Sequence, residues 1–132
     1  MDTNIKAIAL EYANSIWNDK EVNSIDKLVH PDVVIHSALG DFHGVDAMRE
    51  VVQVWLKGFP DLIVNNDLVI SENDLVSIQW QAKGTHKGPF KGRAATDKTI
   101  SYSGVTVYRI KKSKIIEYWA YLDMQHLHNQ MM

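Results

Sequence analysis

The sequence predicts an α+β fold, with helices first and a curved antiparallel sheet after them. Two observations carry this. Apolar residues recur at helical spacing as far as Phe59, and from residue 61 onward they alternate in twos. No internal repeat or low-complexity segment interrupts the chain, and 132 residues are too few for two ordinary domains. Residues 1–132 therefore read as one domain, its helices packed on one face of a sheet.

Each element has its own signal. Ile5, Ile8, Ala9, Tyr12 and Ile16 give an amphipathic helix over residues 4–18. Val22 to Leu28 reads as a second, short helical turn, which His30-Pro31-Asp32 stops, because proline disfavours helix in the residue before it. Val33 to His36 is a short strand, and Gly40 to Gly44 a turn. Val45, Met48, Val51, Val52, Trp55, Leu56 and Phe59 mark the strongest helix, which Gly58 and Pro60 end.

Strands follow over Leu62–Ile70, Leu75–Thr85 and Thr99–Ile110. In the second of these Val76, Ile78, Trp80 and Ala82 share a face, and the same parity carries through Gly84 to His86. Lys87 to Asp97 is a loop, and Lys111 to Lys114 a tight turn. The last strand, from Ile115, would place Ile115, Glu117, Trp119, Tyr121 and Asp123 on one face. A strongly curved sheet roofed by helices leaves a conical pocket whose mouth collects strand ends and loops.

Composition excludes several classes of function. A net charge of -2 gives no electrostatic case for nucleic acid or an anionic membrane. Cysteine is absent, which removes disulfides, thiolate catalysis and cysteine-bound metal and fits a reducing, cytoplasmic compartment. No basic-then-apolar leader opens the chain, and no apolar run reaches the roughly 20 residues of a membrane helix. His126 and His128 flank Leu127 without a carboxylate or cysteine to complete a metal site, and that tail reads as frayed and polar.

Several pieces taken in order resemble the SnoaL-like polyketide cyclases, within the wider NTF2-like cone fold. They are His30-Pro31-Asp32 with Val34 and His36, Gly44 before the long helix, and Phe59-Pro60-Asp61. Trp80 with Gly84-Thr85-His86-Lys87-Gly88 and Phe90-Lys91-Gly92 comes next, followed by Lys114-Ile115 with Glu117, Trp119 and Asp123. The resemblance covers about residues 8–130. It implies a lyase- or isomerase-like reaction, such as the aldol ring closure of an aromatic polyketide ester, with no metal or cofactor. It also implies a homodimer, for which Val105, Val107 and Ile116 could supply an apolar patch.

By that resemblance Asp123 is the acid/base; His86, chosen from its own position on an apolar strand face, is the expected catalytic partner. Arg109 falls near the place where the cyclases carry an assisting histidine. Read from the residues alone, Asp123 is either a solvated strand end capping the next turn or a carboxyl in a dry cavity, where desolvation raises its proton affinity. His86 is either a loop histidine or a proton carrier, and His36 either a satisfied interior residue or pocket lining. Trp80, Tyr102, Trp119 and Tyr121 are core or pocket wall, and with Phe59 and Arg109 they complete the expected substrate-binding set. The predicted ligand is a small apolar carbonyl compound. A non-catalytic binding module on the same cone remains the alternative.

Overall fold

The structure, a computed structural model, describes residues 4–132. Helix α1 (Ile5–Ala13) runs directly into a π-helical turn, Asn14–Asn18, and so extends over the predicted span. A short 3-10 turn leads into α2 (Ile25–Leu28). Then come β1 (Val29–Ser37), β2 (Gly40–His43) and α3 (Val45–Gly58). Strands β3 (Ile63–Glu72), β4 (Leu75–Thr85), β5 (Thr99–Lys111) and β6 (Lys114–Leu122) follow, and α4 (Met124–Gln130) ends the chain.

The six strands form a single sheet in the order β2-β1-β6-β5-β4-β3. All neighbours are antiparallel except β1 and β6, which run parallel. Gly40 to His43, expected as a turn, is instead the edge strand, and the chain turns before it at Ala38-Leu39. Both long hairpins close in two residues, at Asn73-Asp74 and at Lys112-Ser113. Lys112 and Ser113 both hold positive φ, 51° and 66°, the backbone shape that matches the twist of the flanking strands.

Helix α3 buries Met48, Val51, Val52 and Trp55 at helical spacing. Gly58 stands where the Phe90 ring approaches, 3.1 Å from the place of an added Cβ. Asn18 ties the N-terminal arm to β3: its amide accepts from Val64 N at 2.7 Å and donates to Val64 O at 3.0 Å. The interior consists of two apolar clusters. One gathers Tyr12, Ile16, Met48, Tyr108 and Tyr118, and the other Trp55, Phe59, Leu62, Phe90 and Tyr102. Trp17, Leu56 and Trp80 pack against both.

Two expectations are corrected here. Residues 124–130 form a helix, with Leu127 and Met131 only 0% and 2% exposed, so the tail is docked and not frayed. Its apolar pair lies four residues apart, one helical turn, and seats on the second cluster. The face of β6 is also inverted. Arg109 pairs with Glu117 but Ile110 with Ile115, so Ile116 is an extra, bulged residue. Beyond it Tyr118, Ala120 and Leu122 face the helices, while Glu117, Trp119 and Tyr121 face outward. Val105 and Val107 are half-buried on that same outer face.

Candidate functional site

Between the two apolar clusters lies a narrow, partly open cavity of about 70 Å³. Tyr12, Tyr108 and Tyr118 stand on one wall, with Trp55, Leu62, Val64 and Tyr102 on the other. Trp17 and Trp80 bridge the two, and Ser37, Ala38, Ala120 and Leu122 lie where β1 and β6 end. The alternation along β5 supplies Tyr102, Thr106 and Tyr108 from one strand face. Trp80 meets Tyr102 edge to face, with centroids 5.6 Å apart. Its indole N–H donates to Thr106 Oγ1 at 2.9 Å.

The polar atoms of this lining come from hydroxyls, the Trp80 and Trp17 indoles and the Asn66 amide; no carboxylate, histidine, lysine or arginine stands among the lining residues. Burial raises the phenols of Tyr102, Tyr108 and Tyr118, and it raises Tyr12 well above the ordinary range. Each therefore carries its proton at neutral pH and acts as a donor. An uncharged, donor-bearing aromatic slot suits a flat, neutral ligand that offers oxygen acceptors.

Of the expected ligand-binding residues, Trp80 and Tyr102 line this cavity. The others lie elsewhere. Phe59 is fully buried inside the second cluster, against Phe90 at 5.0 Å and His86 at 5.7 Å. Trp119 and Tyr121 were assigned inward by a parity that the Ile116 bulge reverses, and Tyr121 is exposed. His36 and Arg109 stand on the outer face with them. There Trp119 lies between the His36 ring, stacked at 5.4 Å, and the Arg109 guanidinium, 5.7 Å from its centroid. Glu117 Oε2 bonds His36 Nε2 at 2.9 Å, and Glu117 Oε1 lies 3.7 Å from Arg109 Nε. Asp74 takes two contacts from Arg109, both 3.1 Å; desolvation pushes its carboxyl up, but the Arg109 bonds and charge, a backbone hydrogen bond and Lys111 together hold it below the usual range.

The two residues expected to be catalytic are likewise outside the lining. Asp123 is exposed at the N-terminus of α4 and accepts from His126 N at 2.9 Å, so it is a helix cap and not a carboxyl in a dry cavity. His86 is buried as its parity predicted. Its Nδ1 lies 2.9 Å from Thr96 Oγ1, and its Nε2 is sealed without a partner. Desolvation, helped by Arg93, lowers the His86 pKa and keeps the ring neutral in packed protein behind Phe59.

His36 gives a pH prediction. The Glu117 hydrogen bond is the main cause that raises its pKa above the ordinary value of 6.5, with Asp41 adding. The folded state thus holds the proton more tightly than the unfolded one. The stabilisation is complete below pH 6.5 and is lost as pH rises through the raised folded value. Thermal unfolding across that window should show wild type losing stability relative to Glu117→Gln. The difference should stay below about 1 kcal/mol, since the pair is partly solvated. A flat difference would mean that the pair does not couple to folding.

Tyr12, Trp17, Trp55, Thr106, Tyr108 and Tyr118 line the cavity without having been singled out as ligand contacts. Thr106 and Tyr108 were recoverable from period-two alternation along β5, which puts them on the same face as Tyr102. Trp17 and Trp55 were not, because helical periodicity separates inside from outside but does not separate core from cavity wall.

The SnoaL-like polyketide cyclase family model matches residues 7–131. The chain belongs to that family. Similar solved structures include AclR from Streptomyces galilaeus, described as a proposed hydroxylase. It is 28% identical with a TM-score of 0.84, over 96% of this chain and 79% of that one. A proposed polyketide cyclase from Acidithiobacillus ferrooxidans is 25% identical with a TM-score of 0.85, over 99% and 97% of the two chains. A SnoaL-like cyclase candidate from Jannaschia sp. is 19% identical with a TM-score of 0.86, over 99% and 96%, and shows the fold alone. No curated protein matches the chain significantly. The four helices and six-stranded sheet are the NTF2-like α+β arrangement of this family. Among the described residues no helix is long and apolar enough to cross a membrane.

Proposed function

We propose that this SnoaL-like chain binds a small, flat, uncharged organic molecule bearing carbonyl groups, of the polyketide kind that its relatives' names suggest. The observation that carries the proposal is the lining: an aromatic cavity whose polar atoms belong to uncharged groups. A ligand with a permanently charged group, such as an ammonium or a phosphate, would lose its hydration there without gaining a counter-ion. A planar neutral one would lie against the aromatic wall of Trp55, Trp80 and Tyr102 and lose little.

A second reading is acid–base catalysis on that molecule: aldol-type closure, isomerisation or hydrolysis with Asp123 as acid/base. Family membership favours it, as does the position of Asp123 directly after the cavity-lining Leu122. For this the carboxylate would have to leave its cap on α4 and reach a C–H flanked by carbonyls, whose conjugation would delocalise the carbanion.

Asp123→Asn separates the two readings, because asparagine caps a helix as well as aspartate does while removing the carboxylate. The binding reading expects the affinity for a polyhydroxylated anthraquinone probe to stay within about twofold of wild type, and turnover of a poly-β-keto aryl ester to be equal for both proteins. A drop in turnover of about 100-fold or more with affinity retained, the scale of a lost general base, would establish the catalytic reading instead. Loss of anthraquinone binding in wild type itself would overturn the proposal.

A further inference from the structure

The first wall of the cavity holds three phenols in one group. Tyr12 and Tyr108 have ring centroids 5.7 Å apart, and Tyr108 and Tyr118 lie 6.0 Å apart. They come from α1, β5 and β6, so three separate elements bring phenol rings to one wall. Among the described residues, the buried side-chain polar atoms without a partner are His86 Nε2 and His128 Nδ1; the three tyrosines line the cavity.

One further contact orients the group. Thr106 accepts the Trp80 indole N–H at 2.9 Å, which leaves its own proton to give. Thr106 shares a face of β5 with Tyr108, two residues on, and both line the cavity. The Tyr12 ring meets the Tyr108 ring edge to face, so the α1 phenol joins the two from the sheet.

We propose that Tyr12, Tyr108 and Tyr118 form the oxygen-binding pole of the cavity, a donor cluster that takes a carbonyl or enolate oxygen of the ligand. The proposal rests on the cavity-binding reading above and adds where the ligand's oxygen goes. The physical case is satisfiability. A carbonyl or enolate oxygen has lone pairs for two or more donors, and clustered phenols held protonated by burial supply them without bringing in a charge. Donors fixed in a dry site also favour an oxyanion over a neutral oxygen, so the cluster would stabilise an enolate more than its parent ketone.

The test compares 6-cyano-2-naphthol, whose ionisation is visible by absorbance, with 2-cyanonaphthalene, which has the same rings and no oxygen. Wild type is expected to bind the naphthol roughly tenfold or more tighter, and to lower its ionisation pH relative to free probe. Tyr108→Phe and Tyr118→Phe, which keep the ring, should each weaken naphthol binding by roughly tenfold, the scale of one hydrogen bond to a charged oxygen. They should restore the free ionisation pH and leave 2-cyanonaphthalene binding unchanged. Equal binding of the two probes, with the Phe variants neutral, would overturn the oxygen pole and leave the cavity reading standing. Binding of neither probe would overturn both. Should one Phe variant fail to fold by thermal melting, Tyr12→Phe replaces it in the same comparison.

Discussion

Gly104→Ala is expected to cost about 3 kcal/mol of stability, the upper end of what overpacking costs, and to lower the melting temperature by roughly 10 °C. Gly104 lies in β5 opposite Trp80 on β4 and Leu122 on β6. A Cβ there would stand 2.2 Å from the Tyr121 carbonyl oxygen, 2.8 Å from Trp80 Cζ2 and 3.1 Å from Leu122 Cβ. Two of these neighbours cannot yield cheaply. The carbonyl belongs to the β6 main chain, and the indole is held by its bond to Thr106. Either β5 and β6 part, or Trp80 swings and opens the cavity wall. The variant should therefore also lose binding of flat ligands, measured at a temperature where it remains folded. A loss below about 0.5 kcal/mol with binding intact would mean that the strands accommodate a methyl and that the absent side chain at 104 has no structural role.

That glycine also shows where sequence reasoning stops. The strands were legible because period-two alternation survives in β4 and β5, whose register runs unbroken over eleven paired residues. The long helix α3 was legible for the same kind of reason. The β6 face was not. A single bulged residue, Ile116, reverses every assignment after it, and nothing in Lys114-Ile115-Ile116-Glu117 marks which isoleucine is the extra one. Trp119 and Tyr121 were assigned inward for that reason, and the neighbouring Tyr118 was overlooked.

Asp123 illustrates a different obstacle. An aspartate at the end of a strand suits a buried acid and a helix cap equally well by sequence. The deciding feature was the Leu127–Met131 pair four residues apart, which turns the tail into α4 and gives the carboxylate a main-chain N–H to accept from. The His36–Glu117 contact spans 81 residues and depends on the parallel β1–β6 pairing, which no local pattern announces. The cavity is harder still to foresee. It is a gap between two clusters, and a gap has no residue type of its own.

Phe59→Ala is expected to produce the largest destabilisation of the substitutions considered, about 3–5 kcal/mol. Phe59 is 0% exposed and touches Trp55, Phe90, Tyr102 and His86 with its ring, at centroid distances from 5.0 to 6.4 Å. Four aromatic neighbours, from α3, β5 and the loop between β4 and β5, cannot all close onto a methyl, so a hole remains and adds to the lost burial. The variant also distinguishes two placements of this side chain. A cavity wall already has empty space on one side, so truncating it enlarges a pre-existing cavity, loses fewer contacts and mainly alters ligand binding. A core residue loses contacts all round and weakens the whole fold. Urea unfolding of wild type and variant reads the difference directly, provided that the slope is unchanged between them. A loss near 4 kcal/mol would fix Phe59 as the keystone of the second cluster. A loss below about 1 kcal/mol, accompanied by tighter binding of a larger ligand, would return Phe59 to the cavity wall. The boundary between the two apolar clusters would then have to be redrawn with His86 facing the ligand.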